Sequence, residues 1–298
     1  MNASLPRVGF VGIGRMGAPM AARLHAAGYP LAVHDARGDA ARAFADTHRG
    51  VQHATGLDAL AECDVVITML PDSAAVEAVV LGSGNTPALI GVLRRGSLLI
   101  DMSSSAALRT RELAARLQAA GIDFLDAPVS GGVKRALDGT LAIMVGGNPA
   151  VFHGRRELLG CMGRTLTHVG PAGAGHAMKA LNNYVSAAGL VATVEALHAG
   201  QRFGLDPALM TDVLNSSTGR TNTTENKGKP FRLAGRDDSG FALALMAKDL
   251  GLAMTLGAQV GAPMRLGEQV RAMWEEAAAS LGPAADHTEM HRWLDGSG

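Results

Sequence analysis

The sequence predicts an α/β fold: a doubly wound, mostly parallel sheet with helices on both faces, then an all-α domain joined to it by a long helix. Three observations predict it. Short apolar runs alternate with helical patterns through roughly the first half of the chain. Strand patterns then stop, while helical periodicity continues almost to the end. Near the start, Val8-Gly9-Phe10-Val11-Gly12-Ile13-Gly14-Arg15-Met16-Gly17 joins a buried-strand pattern to a helix through Gly-x-Gly-x-x-Gly. The expected domains are residues 1–167 and 168–298.

In order, strands are expected at 7–12, 31–35, 64–69, 97–101, 122–126 and 140–145, with another near 164–169. Helices fall between them at 16–27, 37–48, 72–81, 105–119 and 150–159, with right-handed crossovers. A long helix runs from about Ala174 to Phe203. Its interior glycines, Gly189 and Gly200, imply close packing against another helix. Further helices are read at 206–215, 240–260 and 264–280. The segment Asn215 to Lys229 reads as a loop on composition. No repeat or flexible linker interrupts the chain, so the expected hinge is the start of the long helix.

Composition excludes several function classes. Of 298 residues, 47% are hydrophobic, enough for a sizeable core. The formal net charge is zero, which argues against a nucleic-acid or polybasic membrane surface. Aromatic content of 4% leaves little for base stacking. Cys63 and Cys161 lack metal or redox spacing and suit a reducing, cytoplasmic setting. The amino-terminal stretch Met1 to Arg7 has no signal-peptide pattern, and no apolar run is long enough to span a membrane.

The glycines predict a dinucleotide. Gly12 permits the tight turn, Gly14 lets backbone approach a pyrophosphate, and Gly17 lets the helix pack on the strand. The helix start offers N–H groups to the phosphates, through Ile13, Arg15 and Met16 as well. A second apolar run ends at Asp35, 23 residues after Gly12, near the ~20 expected for the acid that accepts ribose hydroxyls. A carboxylate there repels a 2′-phosphate, so NAD is favoured. Arg37 nearby keeps NADP possible.

Three further segments carry chemistry. Asp126-Ala127-Pro128-Val129-Ser130-Gly131-Gly132 leaves a strand and sets consecutive N–H groups beside a hydroxyl, a cradle for a carboxylate. Taken alone, it reads equally well as an ordinary strand-end turn. In Gly175-His176-Ala177-Met178-Lys179-Ala180-Leu181-Asn182-Asn183, Lys179 and Asn183 share one helical face. A lysine near a helix start, part-buried, loses proton affinity to the dipole and to desolvation and can exchange a proton with a hydroxyl. Asn183 would hold that hydroxyl oxygen. Alone, a helical lysine reads as a solvated surface residue. The third is Met246-Ala247-Lys248-Asp249-Leu250, where Lys248 and Asp249 adjoin and are expected on different faces. By itself it reads equally as a locally paired charge.

With these residues in hand, the chain resembles the β-hydroxyacid dehydrogenases, which include 3-hydroxyisobutyrate dehydrogenase and tartronate semialdehyde reductase. The matching stretches are 9–17, 126–132, 175–183 and 248–250, together with Met69-Leu70-Pro71 and Asp101-Met102-Ser103-Ser104. The resemblance spans essentially the whole chain. It implies a Rossmann domain followed by a helical domain, Lys179 as general acid and base, and Ser130, Gly131 and Gly132 around the substrate carboxylate. Asn183 would orient the substrate. Leu70, Pro71 and Ser104 would line the cofactor, and Lys248 would contact cofactor or substrate. Family members often carry threonine where this chain has Ser104, and some a polar residue where it has Ala75.

The expected function is hydride transfer between NAD or NADP and a small β-hydroxy acid. No metal is required, because the lysine supplies charge at the developing oxyanion. Variants are reduction of an aldehyde acid such as tartronate semialdehyde or sulfolactaldehyde, and oxidation of threonate or serine. Imine reduction and a catalytically silent cofactor-binding module are alternatives that Lys179 argues against. Lys134 and Arg135 read as solvated, with attraction of a second anion as the other reading. The polar segment Ser216 to Lys229, with Thr218, Arg220, Asn222, Thr223, Thr224 and Asn226, reads equally as a hydroxyl-reading loop or a surface loop. Expected partners are a small carboxylate substrate and further copies of the chain, as a homodimer or homotetramer, with no nucleic acid and no membrane.

Overall fold

In a computed structural model, residues 5–82, 87–226, 237 and 239–296 are described. Residues 1–4 of the amino-terminal stretch and 227–229 of the polar segment lie outside them. The chain divides into two compact units, Met1–Lys179 and Ala180–Gly298. The division falls inside the long helix, later than the expected 167/168 boundary.

The first unit is built on a nine-stranded sheet. Its parallel part runs β3 (Gln52–His53), β2 (Leu31–His34), β1 (Val8–Val11), β4 (Val65–Thr68), β5 (Leu98–Asp101) and β6 (Asp123–Asp126). Beyond β6, β8 (Leu141–Gly147) turns antiparallel, pairs β7 (Val129–Ser130) antiparallel, and pairs β9 (Gly163–Gly170) parallel. Strands buried on both faces read as continuous apolar runs, and successive side chains serve opposite cores. Val8, Phe10, Val65, Ile67, Leu98 and Ile100 join one cluster. Val11, Val66 and Leu99 join the other. Around the sheet lie α1 (Gly17–Ala26), α2 (Gly38–Thr47), α3 (Ser73–Leu81), α4 (Leu89–Val92), α5 (Ala107–Ala119), α6 (Gly132–Asp138), α7 (Pro149–Gly154) and α8 (Arg156–Gly160).

The expected elements are present, and three kinds were missed. β3 and β7 have two residues each, too short for alternation to show. Helices α4 and α6 are one or two turns long. The helix expected at 150–159 breaks at Arg155 into α7 and α8.

In the second unit, α9 (Ala174–Phe203, which begins in the first unit), α11 (Leu243–Gln259), α12 (Arg265–Leu281) and α13 (Met290–Leu294) share a core. Ala187, Leu190, Val191 and Val194 recur on one face of α9; Leu243, Met246 and Leu250 do so on α11. Trp274 of α12 is fully buried among them. Helix α10 (Pro207–Ser216) approaches α9 closely at Gly200, where the Met210 thioether fills the space a Cβ would need. Gly189 departs from expectation: among the described residues nothing packs over it, and its carbonyl accepts the Thr193 hydroxyl at 2.6 Å. Among the described residues, no helix is long and apolar enough to cross a membrane.

Asp286 holds the end of this unit. Its carboxylate accepts the Ser239 hydroxyl at 2.6 Å, the Gly240 N–H at 2.8 Å and the Thr288 hydroxyl at 2.7 Å. Burial alone would raise this carboxyl, but bonds from His287, Ser239 and Thr288 outweigh it and hold it well below the usual carboxylate range. A depressed carboxyl stabilises the fold above its unfolded value of about 4, and the gain is lost as pH falls toward the depressed one. Asp286→Asn should therefore cost roughly 2 kcal/mol at neutral pH and flatten the acid limb of the Tm–pH curve. Calorimetry showing an unchanged acid limb would remove this role.

Candidate active site

The strands bring the candidate residues to one edge. Val11 lies opposite His34 and Thr68, Thr68 opposite Asp101, and Asp101 opposite Asp126. The loops that follow these residues all leave the carboxyl end of the parallel sheet. The strand order reverses between β1 and β4, the place where open α/β sheets take their ligands.

The three fingerprint glycines turn out to be glycine for different reasons. Gly12 has φ +99°, and a Cβ there would overlap the Met69 carbonyl. At Gly17 a Cβ would overlap the Gly12 carbonyl, so α1 could not pack. At Gly14 a Cβ would meet nothing within 4 Å among the described residues. Protein packing does not require that glycine, and the open space beside it is what a pyrophosphate would occupy. Helix α1 starts without a side-chain cap and without an acid in its first turn, leaving its N-terminus to an anion. Arg15 is exposed and Met16 half-buried.

Asp35 is tied to the same loop. Its carboxylate accepts the Ile13 N–H and the Arg37 N–H, both at 2.8 Å, and the Arg37 guanidinium stands 3.7 Å away. On the next loops, the Leu70 N–H donates to the Ser103 hydroxyl at 2.9 Å. Pro71 is exposed and Ser104 half-buried. Ala75 spends its N–H on Asp72, which caps α3. These features fit a dinucleotide along the edge.

The Ser-Gly-Gly segment is more than a turn. Gly131 (φ +133°) and Gly132 (φ +67°) both lie in the region that favours glycine, and α6 starts at Gly132. Two glycines in a row hid that helix from sequence reading. Ser130 is half-buried, while Lys134 and Arg135 are exposed, as the solvated reading expected. The Arg135 stem lies over Gly131.

Lys179 and Asn183 are both buried and sit one turn apart on α9. One part of the expectation about Lys179 needs correction. The start of α9 already bonds to Asp126, whose carboxylate accepts the Gly173 N–H at 2.8 Å and the His176 N–H at 2.9 Å. Lys179 also lies beyond the first turn, where the dipole acts. Asn183 donates from Nδ2 to Asp249 Oδ2 at 2.5 Å and accepts the Asn182 amide at 3.1 Å. Lys248 and Asp249 were expected on different faces. They meet, with Nζ 3.9 Å from Oδ1, because the long lysine stem swings round the helix.

Sequence reasoning gave no separate role to Asp249, Ser103 or His176, since only contacts reveal them. Composition leaves the polar segment open between a hydroxyl-reading loop and a surface loop. There Thr221 and Thr224 bond to each other, Asn215 bonds to the Thr224 carbonyl, and Arg220 pairs with Glu225. Residues 222–226 are helical, and Thr223 and Thr224 are buried. Much of that polarity folds the segment.

A switch-point edge with a fingerprint loop, a ribose-type acid and a buried helical lysine defines a class: oxidoreductases that use a nicotinamide dinucleotide. Comparison with known proteins makes this specific. Residues 7–170 match the family model described as the NAD binding domain of 6-phosphogluconate dehydrogenase. Residues 173–294 match that described as NAD-binding of NADP-dependent 3-hydroxyisobutyrate dehydrogenase. The chain is 38% identical to the mitochondrial 3-hydroxyisobutyrate dehydrogenase of Bos taurus over 98% of its own length and 88% of the relative's. It is 35% identical to the 2-(hydroxymethyl)glutarate dehydrogenase of Eubacterium barkeri, covering 92% and 89%. A solved structure of the Mycobacterium tuberculosis 3-hydroxyisobutyrate dehydrogenase with L-serine superposes with TM-score 0.89 at 34% identity, over 98% of this chain and 99% of that one. The chain belongs to the β-hydroxyacid dehydrogenase family, and it is an NAD(P)-dependent dehydrogenase.

The glycine assignments make contrasting predictions. Gly14→Ala should melt as the wild type does but bind NADH at least about tenfold more weakly, because its Cβ enters only the ligand's space. Gly17→Ala should lose stability on its own, by roughly 2 kcal/mol or more. Thermal melts and a fluorescence titration with NADH decide it; equal behaviour of the two variants would defeat the assignment.

Proposed function

We propose that the protein oxidises a small β-hydroxy acid of the 3-hydroxyisobutyrate kind, with NAD preferred and Lys179 as the base. The carrying observation is the pairing of buried Lys179 with Asn183 one turn away, whose amide orientation Asp249 fixes. The dinucleotide supplies the hydride acceptor. Ser130 Oγ and the backbone N–H groups of Gly131 and Gly132 hold the substrate carboxylate. Lys179 takes the hydroxyl proton as the carbonyl forms, and returns it when the reaction runs toward reduction. Asn183 has one Nδ2 hydrogen on Asp249; the other steadies the oxygen where negative charge develops. Lys248 contacts the cofactor or the substrate.

The NAD preference rests on Asp35. Its carboxylate meets the ribose hydroxyls and repels a 2′-phosphate, while Arg37 already lies against it. The related reductions of tartronate semialdehyde or sulfolactaldehyde, and the oxidation of threonate or serine, use the same residues and differ only in the substrate's remaining groups. The enzyme is placed in the cytoplasm, where its two unbridged cysteines would stay reduced. It is taken to act on free small molecules, with neither nucleic acid nor membrane as a partner.

Lys179→Ala should bind NADH as the wild type does and lose about a thousandfold or more in turnover. An assay of 3-hydroxyisobutyrate, serine, threonate, glycerate and the sulfonate analogues, each with NAD and NADP, ranks the substrates. Near-normal turnover in the variant would overturn the role of Lys179, and no wild-type turnover across the panel would favour a silent cofactor-binding module.

Self-association is proposed on a separate observation. Phe203, at the end of α9, is 84% exposed, and Leu209 and Val213 on α10 are 64% and 53% exposed. Apolar side chains so placed suit a second copy of the chain. Light scattering should give a dimer or tetramer, and Phe203→Asp with Leu209→Asp should dissociate it; a monomeric wild type at micromolar concentration would exclude this.

A further inference from the structure

We propose that His176 is a positioning residue. Its ring ties the cofactor-side turn at 102–105 to the start of α9, and so fixes that turn relative to Lys179, one turn further along the helix.

His176 is only 1% exposed, yet its backbone N–H and both ring nitrogens have partners. Its backbone N–H donates to Asp126. Ring Nε2 lies 3.1 Å from the Ser103 carbonyl, which can only accept, so Nε2 carries a proton. Nδ1 lies 2.8 Å from the Thr110 hydroxyl. The carboxylates of Asp101 and Asp126 flank the ring at 3.7 and 3.8 Å.

The other end of this contact gives the ring its function. Ser103 is fixed through three groups. Its N–H donates to Asp101 at 3.0 Å, its hydroxyl accepts the Leu70 N–H at 2.9 Å, and its carbonyl accepts the His176 ring. Ser103 therefore couples the Leu70–Pro71 step, the Ser104 backbone and α9. A ring serving only as filler would need no donor at this place; the Ser103 carbonyl, buried, does. The inference rests on the reading that Leu70, Pro71 and Ser104 line the cofactor.

Two substitutions separate positioning from filling. In His176→Gln the amide N–H reaches about as far as ring Nε2 and can still bond Ser103. In His176→Asn the shorter amide reaches only toward Thr110. NADH titrated by fluorescence should bind His176→Asn about tenfold more weakly than wild type, the loss of roughly one hydrogen bond's worth of ordering. The same variant should lose about tenfold or more in kcat, with the KM of the hydroxy acid little changed, since a misplaced reacting pair affects turnover more than binding. His176→Gln should restore both to within about threefold.

Equal NADH binding by the two variants, whether like wild type or equally weak, overturns the proposal. If His176→Asn does not fold, His176→Met decides: it matches the glutamine in length but offers no donor to the Ser103 carbonyl, and should bind NADH about tenfold more weakly, with binding equal to that of His176→Gln counting against the proposal. The NADH titration needs no substrate. A wild type without turnover on any hydroxy acid would therefore overturn the proposed reaction and leave the test of His176 standing.

Discussion

The carboxylate of Asp126 is the contact on which the rest of the site depends. It ends β6, is fully buried, and receives the Gly173 and His176 N–H groups at the start of α9. A helix start has N–H groups without partners, and an anion there is both a hydrogen-bond acceptor and a match for the dipole. Here a sheet residue plays the cap, so the helix that carries Lys179 is anchored to the edge that carries the candidate cofactor loops. Two glycines follow from it. A Cβ at Gly146 would collide with this carboxylate, and one at Gly175 would sit 2.7 Å from the Asp126 carbonyl.

Asp101 does the same work one strand away. Its oxygens accept the Thr68 hydroxyl, the Ser103 N–H and the Ser105 hydroxyl, at 3.0, 3.0 and 3.1 Å. An ionised group this deep is tolerated only when donors replace its water. In return it fixes the loop that follows β5. Burying two carboxylates in register on neighbouring strands thus organises two loops and a helix before any ligand arrives, which is the preorganisation hydride and proton transfer need.

The fold was legible because parallel strands buried on both faces carry long apolar signals and α9 runs unbroken through thirty residues. Much of the candidate site was legible too. Lys179, Asn183, Asp35 and the Gly-rich segments are local patterns. What stayed hidden depends on residues far apart in sequence. Asp249 matters because it meets Asn183 across 66 positions, and His176 because it meets Ser103 across 73. The polar segment shows the opposite case: composition leaves a hydroxyl-reading loop and a surface loop equally open, and only the contacts show that the Thr221 and Thr224 hydroxyls bond within their own turn. Gly189 misled because a glycine records permission for close packing, not its presence.

The glycine loop and Asp35 show why a fingerprint behaves as one unit. The acid is usually described as a reader of ribose hydroxyls, separate from the glycines that seat the phosphates. In this chain one of its oxygens takes the N–H of Ile13, between Gly12 and Gly14, and the Gly12 N–H itself bonds to the carbonyl of His34, one residue before the acid. The ends of β1 and β2 are therefore laced together by two bonds, both donated from the β1 side. The carboxylate proposed to meet the ribose also sets the path of the Gly12–Gly14 loop. Replacing Asp35 to admit a 2′-phosphate would remove the repulsion but also free the Ile13 N–H in a part-buried place. On the proposed role of Asp35, cofactor preference and cofactor affinity are coupled through a single carboxylate.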